Sequence, residues 1–477
     1  MKTNHYLHYR KLFTLLLATI FLLAGSYAKA EHPEVKLGRK EHEKLLKTTH
    51  FYQDEALNAY VNKVGQKLAA NSDWPEIDYH FFIVDSPDIN AFALPGGYIY
   101  INRGLLSHLT SEAQLAGVLA HEIAHVTRHH AIRRRNKQRL GDAAAFVASV
   151  ATLNSNVGEA IKLENAALVS GYGREMELEA DEYGAAYLYR SGYDPVAMID
   201  VLGILKDHER FSTLRGREAG RAPRTYHGVF SSHPKNDKRL KEVIEQAGQL
   251  PPGEDFRGRT VYRKVLDNMV FGPNDTTLAS PGYQRYATKS LGVTFVYPDG
   301  WTRDTENQTI VLTPDEGVRM EVSVAKPKDK EANAEALLKN RHQVEKLGKP
   351  KAVYGKERKD EATYAFIETE PGNKRVAAIK SGSYEYYFDV ITPVPLNDEQ
   401  DEQVVNIIKS FGRAEAFHFP PDDIYHVYYH RLEPGETFAD LAADKAVGRY
   451  TEEQLRLING YYPTGEPEPG TWIKMAK

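Results

Sequence analysis

Between Ser111 and about Arg134 the chain is written as one capped amphipathic helix that must carry two imidazoles on a single face, and this constrains the fold most tightly. Ser111 and Gln114 stand as the ends of a capping box, which places the helix start. Within the helix comes His121-Glu122-Ile123-Ala124-His125. Histidines four apart project from the same side of a helix, so both rings can hold one metal ion. Neutral imidazoles suit zinc, which takes a third protein ligand and keeps one position open for water. Glu122, next to His121, can reach that water without occupying a coordination position. The five-residue pattern arises by chance at a real rate; its setting in a capped helix is what gives it weight.

A third ligand has a candidate about fifty residues on, in Arg174-Glu175-Met176-Glu177-Leu178-Glu179-Ala180-Asp181. Glu177 and Asp181 are again four apart on an expected helix. One can ligate the metal while the other accepts a hydrogen bond from a histidine N–H and fixes that ring's tautomer. Acidic residues also favour the first turn of any helix for dipole reasons. His129 and His130 read as cations or packing groups at a helix end rather than as ligands.

Around these motifs the periodicities are mostly helical. Glu41–Lys47 and Glu55–Ala69 read as helices, Tyr79–Val84 and Tyr98–Ile101 as strands, with Asn90–Gly97 extended between them. Pro95 restricts that extended piece to a sheet edge. Gly141–Leu153 is expected to be helical, as are Glu175–Tyr189, the stretch from Asp194-Pro195 to about Arg210, and Lys238–Ala247. Ser212–Gly228 reads as a mobile loop. The texture changes after about Gly282. Val293–Tyr297, Ile310–Thr313, Met320–Ala325, Thr363–Thr369, Val376–Lys380 and Tyr384–Ile391 read as strands, interrupted by helices at about Asn333–Glu345 and Asp398–Phe411. Tyr384, Tyr386, Tyr387 and Phe388 fit either a partner surface or a core. A small unit follows Pro420-Pro421.

The 477 residues suit about three domains of roughly 150 residues each. A net charge of −4 with only short basic clusters speaks against nucleic acid as a partner. Lys2, Arg10 and Lys11, the apolar run Leu12–Ala24 and Ala28-Lys29-Ala30 have the layout of a secretory signal peptide cut after Ala30. That run is short of the roughly 20 residues a membrane span needs. The chain has no cysteine, so it cannot mispair in an oxidising compartment, and the periplasm is the expected destination.

In order and spacing, Asn90–Gly97, His121–His129, Glu177–Asp181 and Ser232-His233-Pro234 through Arg239 resemble the M48 zinc metallopeptidases, over about residues 41–275. Absence of the membrane helices of the family's prenyl-protease branch points to its soluble periplasmic branch, which serves outer-membrane assembly. The resemblance implies an α+β multidomain chain. After the signal peptide (1–30) come a mostly α-helical zincin-type metalloprotease domain with a small edge sheet (31–275), an α+β accessory domain (283–414) and a LysM-like unit (420–477). It further implies one Zn2+ per chain on His121, His125 and Glu177, with Glu122 as catalytic base and Asp181 turned toward His121. Arg239 would stabilise the oxyanion, and His233 would cap the metal at rest or be a plain surface histidine. Asn90, Ala91, Phe92 and Ala93 would form the edge strand that takes an extended substrate. The implied activity is peptide-bond hydrolysis in misfolded or unassembled envelope polypeptides, with outer-membrane assembly components or peptidoglycan as further partners. A second reading is a periplasmic chaperone or assembly factor with a largely closed metal site. In the tail, Leu432, Phe438, Leu441, Leu455, Ile458 and Ile473 would serve glycan binding or packing alone.

Overall fold

Helix α1 (Pro33–Leu45) opens the structure, a computed structural model of the chain, with Pro33 in its first turn, where a missing N–H costs nothing. Residues 31–139, 173–218 and 256–477 are described, apart from 276–277, 308, 315–317, 328–330, 354–360, 369–372, 415–418, 421 and 444–450. The leader, Gly141–Leu153, Lys238–Ala247, His233 and Arg239 therefore lie outside the described residues.

Helix α2 (Glu55–Ala69) begins where Asp54 accepts a hydrogen bond from the Leu57 N–H. Three short strands follow, β1 (His80–Val84), β2 (Ala91–Leu94) and β3 (Tyr98–Asn102). Their order is β1-β3-β2, with β3 parallel to β1 and antiparallel to β2, so β2 is an outer strand. It ends just before Pro95, where the missing donor is tolerated. Ala91, Ala93, Ile99 and Ile101 face the main core, while Tyr98 and Tyr100 face the other way, toward α1. Gly38 is required there: a Cβ on it would stand 1.8 Å from the Pro95 carbonyl oxygen.

The short helix α3 (Arg103–His108) leads into α4 (Glu112–Thr127), whose residues from Ala113 onward are all buried. One helix to about Arg134 was expected, but there are two. His129 takes a positive φ of 56°, and α5 (His130–Arg139) sets off in a new direction. Next come α6 (Arg174–Arg190), α7 (Val196–Glu218), α8 (Arg259–Leu266) and β4 (Val270–Phe271). The Asp194 carboxylate accepts from the Val196 N–H, and α7 runs through Ser212–Glu218, where a loop was expected.

The second half is a three-layer α+β domain. Its strands are β5 (Tyr283–Thr288), β6 (Val293–Pro298), β7 (Thr302–Glu306), β8 (Thr309–Thr313) and β9 (Arg319–Ala325). Helix α9 (Ala334–His342) precedes β10 (Gly348–Ala352), β11 (Glu361–Glu368), β12 (Asn373–Ser381) and β13 (Tyr384–Ile391); α10 (Asp398–Lys409) and β14 (Gly412–Arg413) close it. A seven-stranded antiparallel sheet, β10-β11-β12-β13-β9-β8-β7, buries alternate residues on opposite faces. Ala377, Ile379, Tyr386 and Phe388 meet β6 and α10, and Val376, Ala378 and Tyr387 meet α9. Tyr386, Tyr387 and Phe388 are core residues, not a partner surface.

The tail runs β15 (Tyr425–Arg431), α11 (Phe438–Ala443), α12 (Glu452–Asn459) and β16 (Trp472–Ala476). Among the described residues it has no separate core: Phe438, Leu455, Ile458, Ile473 and Met475 belong to the same apolar cluster as α4. β15 pairs with β16 and also with β4. The fully buried Lys474 donates from Nζ to the Ser107 and Leu109 carbonyls, both at 2.6 Å, at the C-terminal end of α3. Among the described residues no helix is long and apolar enough to cross a membrane.

Candidate metal centre

The site begins at the start of α4. The Ser111 hydroxyl accepts from the Gln114 N–H at 3.2 Å, while the Gln114 side chain accepts from the Thr110 N–H at 2.7 Å, one residue earlier than a capping box requires. Glu112 accepts from Tyr60 at 2.7 Å and Tyr193 at 2.8 Å, tying the first turn to two neighbouring elements. From this anchored end His121 and His125 project together, their Nε2 atoms 3.0 Å apart.

Helix α6 delivers the carboxylates. Glu177 Oε2 lies 3.6 Å from His121 Nε2 and its Oε1 lies 3.6 Å from His125 Nε2. The helices meet closely because Gly184 is on the same face: a Cβ there would come 3.2 Å from the His121 amide nitrogen. Glu177 and Asp181 are completely buried, and Asp181 Oδ1 is 2.9 Å from His121 Nδ1.

His125 is held from behind as well. Its Nδ1 lies 2.8 Å from Nδ1 of His130, whose Nε2 is 3.2 Å from Glu179 Oε2. Arg128 Nε and Arg133 Nη1 each donate to Glu179 at 2.7 Å. Burial raises the Glu179 carboxyl, but the hydrogen bonds from Arg133, Arg128 and His130 override it and hold it at about 2. Burial pushes His130 down to about 4, so it is neutral near pH 7.

These contacts assign the tautomers from the hydrogen-bond network. A neutral His130 that donates Nε2–H to Glu179 has a lone pair on Nδ1, which accepts Nδ1–H from His125. His121 likewise donates Nδ1–H to Asp181. Both Nε2 lone pairs then face each other and the Glu177 carboxylate. Two imidazole lone pairs and an anion, all buried and within 4.8 Å of one another, fit a divalent cation. Glu122 is 2% exposed beside this group.

All three expected ligands and Asp181 are therefore brought together. Arg239 and His233 lie outside the described residues, and Asn90–Ala93 lie on or beside the outer strand β2. His130 was read as a helix-end group, but the bend at His129 turns it back onto His125; in a continuous helix, a residue five positions on would face elsewhere.

A HExxH helix crossed by a second helix that supplies an acidic ligand defines a metallopeptidase-type domain. Residues 55–247 match the model of peptidase family M48. It is similar to the beta-barrel assembly-enhancing protease of Escherichia coli K12, 29% identical over 238 residues covering 47% of this chain and 46% of that protein. A Vibrio cholerae protein described in like terms is 33% identical over 208 residues, covering 42% of this chain and 41% of its own length. The mitochondrial metalloendopeptidase OMA1 of Schizosaccharomyces pombe is 30% identical over 186 residues, 39% of this chain and 52% of that one. The chain thus spans about half the length of the curated relatives it matches.

Proposed function

We propose that this chain is a zinc-dependent metalloendopeptidase with a zincin-type protease domain, exported to the periplasm, that cleaves misfolded or unassembled cell-envelope polypeptides. The observation that carries this reading is the buried His121–His125–Glu177 group, in which the Nδ1 of each imidazole is held from behind and its Nε2 lies beside the Glu177 carboxylate. The names of the relatives support proteolysis and an envelope role. The leader, with its cut after Ala30, supports export.

His121, His125 and Glu177 would hold the zinc, which when bound supplies the Lewis acidity that activates water and polarises a carbonyl. Glu122 takes the proton from the attacking water and hands it to the departing amine nitrogen. Asp181 and His130 keep the two rings in the tautomer that offers Nε2. An extended substrate would pair along β2, at Asn90, Ala91, Phe92 and Ala93, so that its backbone groups are satisfied while it is held straight. On the family resemblance, Arg239 balances charge on the tetrahedral oxygen and His233 caps the metal at rest. The strand–helix–helix–strand order of the tail supports a LysM-type module whose apolar residues serve packing; peptidoglycan is the candidate partner of the tail, and outer-membrane assembly components are candidate partners of the chain as a whole.

The test is metal analysis with casein cleavage, run with and without a chelator, on wild type and Glu122→Gln. Expected are about one zinc per chain in both proteins and a loss of cleavage of about 10²–10⁴-fold in the variant. Near-wild-type cleavage by Glu122→Gln would remove Glu122 from the mechanism. A wild type that neither binds zinc nor cleaves would end the reading.

A further inference from the structure

A second recognition feature lies beside the metal helix, in a cleft of about 760 Å³ between α1 and α5. Its walls include Pro33, Lys36, Leu37 and Lys40 from α1, and Ile132 and Arg135 from α5. On α1 these residues recur at helical spacing, on the face opposite Gly38 and Leu45, which pack toward the sheet. Leu37 and Ile132 are half-buried and form an apolar floor, while Lys36, Lys40 and Arg135 are exposed around it.

The charge balance of the cleft is positive. Of the other ionic groups on its walls, Arg39 is paired with Glu31 at 2.7 Å and Glu34 with His129 at 3.0 Å, which leaves Glu43 as the remaining acid. Among the described residues, Lys36, Lys40 and Arg135 take part in no ion pair. Helix α5 carries Arg133, Arg134, Arg135, Lys137 and Arg139 and no acidic residue, although the whole chain has a net charge of −4. The cationic character is local to this cleft.

Its position ties it to the metal centre. Glu34, on the wall, holds His129, the residue at which α4 turns into α5. His130, the next residue, touches His125, and Ile132 and Arg135 follow it by within about 8 Å of helix rise. We propose that this cleft is an exosite that holds acidic side chains alternating with apolar ones on a polypeptide substrate, beyond the segment being cleaved. A concave trough with an apolar floor and cationic rim suits one chain segment; a lipid surface would call for a flat or convex face. The inference rests on the peptidase reading for the word substrate, but the binding itself does not depend on hydrolysis.

The experiment uses the full chain in two forms. Binding of a labelled peptide of alternating glutamate and leucine is measured by fluorescence anisotropy on Glu122→Gln protein, against its lysine-for-glutamate counterpart. The triple variant Lys36→Glu, Lys40→Glu, Arg135→Glu is then compared, in binding and in hydrolysis of an acidic protein substrate and of a short neutral peptide. Expected are salt-sensitive binding of the acidic peptide only, lost by on the order of tenfold in the triple variant, and a matching rise in KM for the acidic substrate alone. Equal binding of both peptides, an unchanged triple variant, or equal loss on acidic and neutral substrates would overturn the exosite. So would a triple variant that loses binding only to phosphatidylglycerol vesicles, which would make the cleft a lipid contact. If the acidic peptide binds as expected but wild type hydrolyses nothing, the peptidase reading fails while the acidic-peptide site stands.

Discussion

Each imidazole of the candidate centre is held by a different kind of partner, a carboxylate for His121 and a neutral imidazole for His125. On the proposed reading Asp181 acts through His121, accepting the Nδ1–H, fixing the ring and raising the basicity of Nε2. Asp181→Asn keeps the shape but replaces the anion with an amide that can also present N–H to the ring. Zinc affinity should fall by about 10–100-fold, with the far-UV circular dichroism unchanged. Competition titration against a chromophoric chelator measures this, and unchanged affinity would mean that Asp181 only packs. The His121–His125 pair was legible because its spacing is local, i to i+4 on a helix, whereas Glu177, more than fifty residues on, was singled out by its pairing with that motif and by the family resemblance. His130 was not legible, since its role depends on a single left-handed residue, His129, and nothing nearby in sequence marks the bend. Gly184 left a faint signal, a residue without a side chain in the row Glu177, Asp181, Gly184 on one helical face.

At the level of elements, helix ends written in capping residues were easiest to place: α2 follows Asp54 and α10 follows Asn397, whose capping box with Gln400 is complete. Strands such as β7 and β10, exposed along their whole length, carry no apolar alternation and were missed. The central strand β13 carries a buried carboxylate, Asp389. Asp389 faces Arg341 at 2.8 Å, His342 at 3.1 Å and Lys374 at 3.8 Å. Burial raises its carboxyl, but His342 and Arg341 outweigh that and hold it at about 2. An unfolded aspartate titrates near about 3.9. Because the folded value is depressed, the stabilisation is full above the unfolded pKa and is lost as pH falls through the folded one. Between about pH 4 and pH 2 the domain should lose about 2 kcal/mol from this group. Asp389→Asn should lack that part of the acid dependence and be less stable at neutral pH. Chemical denaturation followed by tryptophan fluorescence at stepped pH reads both; parallel profiles for the two proteins would show that the cluster contributes nothing.

On the scale of the whole molecule, the linear division into protease, accessory domain and tail does not match how the cores are built. The core around the metal centre contains residues from Leu57 to Phe271 and then from Val427 to Ala476, while both accessory cores draw only on residues between Val293 and Phe411. The chain leaves the metal-centre unit at Phe271 and returns at Tyr425, and these two residues are directly paired across β4 and β15. Paired antiparallel residues have Cα atoms about 5 Å apart, so the accessory domain is inserted through a doorway one strand pair wide. Sequence reading could not show this, because strand pairing across more than 150 positions leaves no local periodicity. Insertions with close ends are tolerated because closing a loop costs little beyond its first few residues. Replacing residues 276–421 with a short glycine–serine turn should therefore leave a folded, zinc-binding chain that cleaves a short peptide within about threefold of wild type. Ending the chain at residue 421 should do the opposite. It would bare the α4 side of a core that Leu455, Ile458, Ile473 and Met475 fill, and remove Lys474 from the Ser107 and Leu109 carbonyls that close α3 just before the metal helix begins. Zinc content and thermal unfolding of the two deletions separate the cases: a shortened chain that folds without its tail, or fails to fold without its insert, would show that the tail and the protease are independent after all.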